Sequence, residues 1–139
     1  MAKYLIIGGC GFVGVNIAAA LRRKGDEVLI LDNLTYSQDE NLAYLKSIDV
    51  EVRNGDVRDK DALEREISAG IDGVFHLASV VGIKNYLSST RDLIDVNIYG
   101  AANVADRDAT ERDADETEAQ REGEARHAHV GCRGLSTSA

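Results

Sequence analysis

Long apolar runs are missing from this chain. No stretch approaches the roughly 18 apolar residues of a membrane-crossing helix. Residues 4–7 (YLII) are too short for a signal-peptide core and open directly onto glycines, so they read as a strand. Cysteine is scarce: Cys10 and Cys132 cannot form a disulfide framework, and a cytoplasmic location is the expectation. Positive charge is in deficit, with 16 Lys+Arg against 24 Asp+Glu and a net charge of −8. That balance argues against a basic face for nucleic acid or anionic membrane. What is present, 139 residues at 44% hydrophobic content, suits one globular domain.

The averages conceal a break near residue 105. Residues 1–104 hold 11 Lys+Arg and 15 Asp+Glu; residues 105–139 hold 5 and 9, the same net charge of −4 in a third of the length. The second segment has no Lys, Ile, Phe or Tyr, and its apolar residues are mostly Ala. Such a segment cannot bury enough surface to offset its ordering entropy. The expected organisation is a folded unit over 1–104 and a low-complexity acidic, disordered tail over 105–139.

Before that break the pattern alternates. Lys3–Gly8 is strand-like, and Val13, Ile17 and Leu21 then mark an apolar helix face ending at Arg22, Arg23, Lys24 and Gly25. Glu27–Asp32 is a second strand. Ser37-Gln-Asp-Glu40 fits a capping box before a helix with Leu42 and Leu45. Val50–Asn54 is a third strand. Asp59 or Asp61 caps a helix with Leu63 and Ile67 inward, ending at Gly70. Gly73–Ala78 (GVFHLA) reads as a parallel strand buried on both faces. A helix from about Thr90 to Val104 places Ile94, Ile98 and Ala101 on one face. The order β-α-β-α-β-α-β-α predicts a Rossmann-like, doubly wound parallel sheet of class α/β, incomplete at about four strands in the order 3-2-1-4.

The densest signal is Gly8-Gly-Cys-Gly-Phe-Val-Gly14, which fits both G-x-G-x-x-G and G-x-x-G-x-x-G between a strand and a helix. Bare backbone N–H groups and a helix N-terminus at one point suit a pyrophosphate. A tight turn without a ligand is the alternative, but the strand–loop–helix context favours a dinucleotide. No Gly-Lys-Ser/Thr follows, which disfavours a P-loop. Asp32 ends the second strand 23 positions after Gly9, where a carboxylate accepts from the adenosine ribose and repels the extra phosphate of NADP. NAD is therefore preferred over NADP; the alternative for Asp32 is a strand-end turn, which Asn33 would also fit.

These residues resemble the extended short-chain dehydrogenase/reductases, specifically the NAD-dependent nucleotide-sugar epimerase/dehydratase group. GGCGFVG is followed by LDNL (31–34), GDVRD (55–59), HLAS (76–79) and VNIYGAANV (96–104), and the resemblance covers about residues 3–104. It implies NAD as cofactor. Gly8, Gly11 and Gly14 match the pyrophosphate loop, with Phe12 and Val13 contacting the cofactor at the helix start. Asp32 and Asn33 match the adenosine ribose site. Asp56 and Val57 match the pair beside the adenine, Asp56 accepting from its exocyclic amine. Leu77, Ala78 and Ser79 match the segment under the nicotinamide-side ribose, and Asn97 the helix asparagine near the cofactor. The residues themselves leave other roles open: a turn cap for Asp56, core packing for Leu77 and Ala78, a loop hydrogen bond for Asn97. His76 reads as a buried strand residue.

The resemblance also implies what should follow. The family's chemistry needs a Tyr with a Lys four residues on, a Ser or Thr after a fifth strand, and a nucleotide-sugar domain; its full-length members are often homodimers. Four residues beyond Tyr4, Tyr36, Tyr44, Tyr86 and Tyr99 lie Gly8, Glu40, Ile48, Thr90 and Asn103. No catalytic residue is therefore assigned, and the chain alone is expected to be inactive. The tail departs from the family pattern. Either a reading-frame shift near codon 105 or a natural acidic extension accounts for it. His127, His129 and Cys132 are too few and too unscaffolded for a metal site, and Ser136–Ser138 lack strand context. Cys10 reads as a small space-filler, with a thiol made reactive by the helix N-terminus as the alternative.

Overall fold

The computed structural model describes residues 1–67, 70–82 and 89–107. Four strands, β1 (Lys3–Ile7), β2 (Glu27–Asp32), β3 (Glu51–Asn54) and β4 (Gly73–His76), form one parallel sheet in the order β3-β2-β1-β4. Between them run α1 (Phe12–Arg23), α2 (Asp39–Ser47) and α3 (Lys60–Glu66). α4 (Thr90–Ile94) follows β4 and passes into a π-helical turn, Asp95–Gly100. Residues 101–107 are helical again, three residues beyond the expected end.

Strict alternation along the central strands divides the core in two. Leu5, Ile7, Leu29 and Leu31 face Val57, Leu63, Ile67, Val96 and Val104. Ile6, Val28 and Ile30 face Cys10, Val15, Ala18, Leu45 and Val50. Helices thus cover both faces of β1 and β2, as their unbroken apolar sequences require. The one buried charge among the described residues, Glu66, pairs with Arg53 of β3.

Several local expectations are corrected. On α1 the buried positions are Gly14, Val15, Ala18 and Ala19, while Val13 is exposed, because small residues allow the closest approach to the sheet. Ser37 does not cap α2. Gln38 occupies that position without a side-chain bond, and the Ser37 hydroxyl donates to the Leu34 carbonyl. Asp59, not Asp61, caps α3, accepting from the N–H groups of Asp61 and Ala62. β4 is only half-buried at all four residues, because among the described residues it has β1 alone for a neighbouring strand. The helix after it buries Val96, Gly100 and Val104, whereas Ile94 and Ile98 are exposed. A π turn adds a residue per turn, so the apolar face slips from the register that a regular 3.6-residue period predicts.

The register aligns the carboxyl ends of all four strands. Ile7 lies opposite both Leu31 and His76, and Asp32 opposite Asn54. Ladder-like bonds continue past the strands: Gly8 N–H donates to Leu31, Leu77 N–H to Ile7 and Gly55 N–H to Asp32. The loops after β1, β2, β3 and β4 therefore leave the sheet side by side.

Candidate dinucleotide cleft

A cleft of about 190 Å³ lies where these four loops meet. That is below the 300–1,000 Å³ of an ordinary enclosed ligand pocket, so a dinucleotide-sized molecule would fit it only in part. Of the residues singled out from the sequence, Gly8, Gly11, Asp32, Asn33, Asp56, Val57, Leu77, Ala78 and Ser79 line it. Phe12, Val13, Gly14 and Asn97 do not.

The glycines of the first loop divide by what a side chain would meet. Gly8 has φ +76°, and a Cβ there would lie 2.5 Å from the Ala78 nitrogen, so this position clamps β1's loop to β4's. A Cβ on Gly14 would lie 2.4 Å from Gly9 Cα, which sets how closely α1 approaches the loop. Gly11 differs: a Cβ would meet nothing within 4 Å, and its φ of −79° suits any residue. Folding does not require glycine there; a ligand at the backbone would. Gly11 is also the N-cap of α1, which has no side-chain cap and no acidic residue in its first turn. The helix therefore presents uncapped N–H donors and its positive end, the arrangement that favours a phosphate anion. Phe12 and Val13 are 82% and 57% exposed at that same terminus, outside the cleft.

Asp32 joins the first two loops. Its Oδ2 accepts from Cys10 N–H at 2.9 Å and its Oδ1 from Leu34 N–H at 2.8 Å. The second bond closes a turn that holds Leu34 at φ +61°, and Thr35 N–H donates in the same way to Asn33 Oδ1. The carboxylate serves as turn residue and as brace of the glycine loop, with lone pairs left for a hydroxyl donor. Cys10 is fully buried, and burial beside Asp32 pushes its thiol up to about 12. That overturns the reactive-thiol alternative: low polarity outweighs the helix N-terminus.

The third loop is organised by Asp56, whose carboxylate forms an ion pair with Arg58. Those bonds hold Asp56 at about 2, against its ordinary 3.8. Val57 is buried against Gly100 of the π turn and belongs to the core while also lining the cleft. The fourth loop is fixed by Asn97: Val80 N–H donates to Asn97 Oδ1 at 2.7 Å, and Asn97 Nδ2 donates to the Val80 carbonyl at 3.0 Å. Asn97 pairs with one backbone residue as a strand partner would, and the π turn brings it there. His76 is half-buried, and desolvation lowers its pKa below the usual imidazole range.

Tyr36, Ser37, Val80 and Val96 also line the cleft without having been assigned to it from the sequence. Tyr36 and Ser37 lie just after LDNL, and their place at a strand's carboxyl end was the available signal. Val96 gave none, since the π turn selects it. His127, His129, Cys132 and Ser136–Ser138 lie outside the described residues. Among the described residues, no cluster of three or more His, Cys, Asp or Glu is placed to hold a metal, and no helix is long and apolar enough to cross a membrane.

Comparison with known proteins places this cleft in context. UDP-glucose 4-epimerase from Neisseria meningitidis serogroup B is 33% identical over 110 residues, covering 76% of this chain and 32% of that protein. CDP-paratose 2-epimerase from Salmonella typhi is 33% identical over 105 residues, covering 73% and 31%. The chain thus spans about a third of the length of these relatives. Among solved structures, the Thermus thermophilus UDP-glucose 4-epimerase in complex with NAD superposes with a TM-score of 0.66 at 31% identity, covering 76% of this chain and 33% of that one. The Bifidobacterium longum UDP-glucose 4-epimerase, in complex with NAD+ and UDP, gives 0.72 at 25% identity, covering 80% and 34%. Residues 4–112 match the sequence pattern of one family, so the chain belongs to the NAD dependent epimerase/dehydratase family.

Proposed function

We propose that this chain is the NAD-binding part of a nucleotide-sugar epimerase or dehydratase. The observation that carries the reading is Gly11: a glycine with no packing or conformational need to be one, capping a helix whose first-turn donors lack a side-chain cap. In this reading Gly8, Gly11 and Gly14 shape the pyrophosphate loop, and Phe12 and Val13 flank it. Asp32 and Asn33 receive the adenosine ribose, and Asp56 and Val57 border the adenine. Leu77, Ala78 and Ser79 underlie the nicotinamide-side ribose, and Asn97 acts there through Val80. Bound NAD supplies a hydride acceptor, with which the complete enzyme would oxidise a sugar hydroxyl transiently. Nucleotide sugar is then the substrate class and a homodimer the expected assembly.

In this reading the folded unit is residues 1–104 and the acidic tail residues 105–139; the described helix runs on to residue 107. None of the five tyrosines has a lysine four residues on, which favours a second reading for this chain by itself, a non-catalytic NAD-binding module. Titration of the purified chain with NAD tests the shared claim: saturable binding is expected, and its absence contradicts both readings. Incubation with UDP-glucose and NAD separates the chain from a complete enzyme. No UDP-galactose should form, and turnover would show that the catalytic assignment is wrong.

A further inference from the structure

Cys10, in the middle of the glycine loop, is held at three points. Its side chain is fully buried with Ile6, Val15 and Ile30. Its N–H donates to Asp32 Oδ2 at 2.9 Å, and its carbonyl accepts from Asn41 Nδ2 at 2.9 Å. Asn41 stands in the first turn of α2 and does not line the cleft. Its bond decides the direction of one peptide. The Cys10–Gly11 peptide is trans, so its C=O and N–H point in opposite directions. With the carbonyl turned to α2, the Gly11 N–H points away from α2. That helix packs through Leu45 in the same core cluster as Cys10, whereas the cleft walls Val57 and Val96 belong to the cluster on the other face of the sheet. Away from α2 is therefore toward the cleft. Among the described residues the Gly11 N–H has no protein acceptor.

On the dinucleotide reading above, we infer that Asn41 is a positioning residue for the pyrophosphate, a latch that keeps the Cys10–Gly11 peptide turned with its N–H toward the cleft. Glycine at position 11 creates the need for it. Gly11 has φ −79° and open space where a Cβ would stand. Turning the peptide over would carry that φ to about +100°, which glycine adopts freely and other residues avoid. In the turned state the Cys10 carbonyl would face the cleft in place of the N–H. A carbonyl oxygen there repels the anion that N–H groups attract. The residue that lets a ligand reach the backbone thus also frees the backbone to present the wrong group. Asn41 removes that freedom without touching the ligand. Asp32 grips the preceding N–H and leaves the Cys10–Gly11 peptide to Asn41. The loop then starts in the accepting arrangement, and affinity is not reduced by the fraction of molecules turned the other way.

The test titrates the full 139-residue chain, Asn41→Ala and Asn41→Leu with NAD and with adenosine, which carries no phosphate. Leucine is close to asparagine in size and suits a helix but has no donor. Both substitutions should weaken NAD by about three- to tenfold, the worth of one neutral hydrogen bond, and leave adenosine within about twofold. The amide NMR resonance of Gly11 in the ligand-free chain should shift or broaden in both variants, which a general loss of stability would not produce. Circular dichroism establishes that each variant is folded; if Asn41→Ala is not, Asn41→Leu decides, and if neither folds, Asn41 is a folding residue and the inference falls. NAD affinity within about twofold of wild type, adenosine weakened as much as NAD, or an unmoved Gly11 resonance overturns the inference and leaves the NAD reading standing. Failure of NAD to bind the unsubstituted chain overturns both.

Discussion

On the proposed reading Gly11 and Gly14, three residues apart, separate ligand binding from folding. Gly11→Val adds a side chain to open space with an allowed backbone, so the ligand-free chain should lose only the N-cap preference of glycine over valine, about 0.5–1 kcal/mol. NAD stabilisation should nevertheless vanish. Gly14→Ala forces a Cβ into Gly9 and should cost about 1–3 kcal/mol in the absence of any ligand. Denaturant midpoints with and without NAD check both. Asp56 carries a pH signature. Its pKa is depressed on folding, to about 2 from an ordinary 3.8, so its contribution is complete above that ordinary value and is lost as pH falls through the folded one. The stability gap between wild type and Asp56→Asn should be flat near neutrality and close between about pH 4 and pH 2. A gap constant across that window would contradict the ion pair with Arg58.

At the scale of elements, the π turn of Asp95–Gly100 does most to shape the far side of the cleft. It turns Asn97 onto Val80 and seats Gly100 on Val57, where a Cβ would lie 2.5 Å from Val57 Cγ2. Asn97→Ala leaves both polar groups of Val80 without their partner and should cost about 1–3 kcal/mol. Faster amide exchange at residue 80, with little change in β1, would localise that loss to the loop; uniform change across the sheet would speak against the clamp. β1, β2 and β4 were legible from the sequence as short apolar runs bounded by Gly or Asp, whereas β3, EVRN, has a single apolar residue. Glu27–Asp32 was read to the residue. The helix faces were less legible. Val13 looks apolar but is exposed, and the Ile94/Ile98 face was displaced by a backbone feature with no side-chain signature. The Ser37 capping box failed because its hydroxyl is engaged by a turn one step earlier.

For the whole molecule, the order β3-β2-β1-β4 brings four loops to one edge, and nine of the thirteen candidate residues line one cleft there. That much followed from motif order, since each motif sits at a strand's carboxyl end. The exceptions have physical reasons: Gly14 is consumed in packing, Asn97 reaches the cleft only through Val80, and Phe12 and Val13 flank the helix terminus outside it. Among the described residues β4 has one partner strand, which leaves its outer edge unpaired there, beside the cleft. Thermal unfolding of the intact chain with NAD, with NADP and without ligand tests the central claim most directly. At a hundredfold excess over Kd, NAD should stabilise by about 2.7 kcal/mol and raise the midpoint by several degrees. NADP should do less, because its extra phosphate meets Asp32, and Gly11→Val should abolish the shift. An unchanged midpoint with NAD, or an equal shift in Gly11→Val, would contradict the assignment of this cleft to NAD.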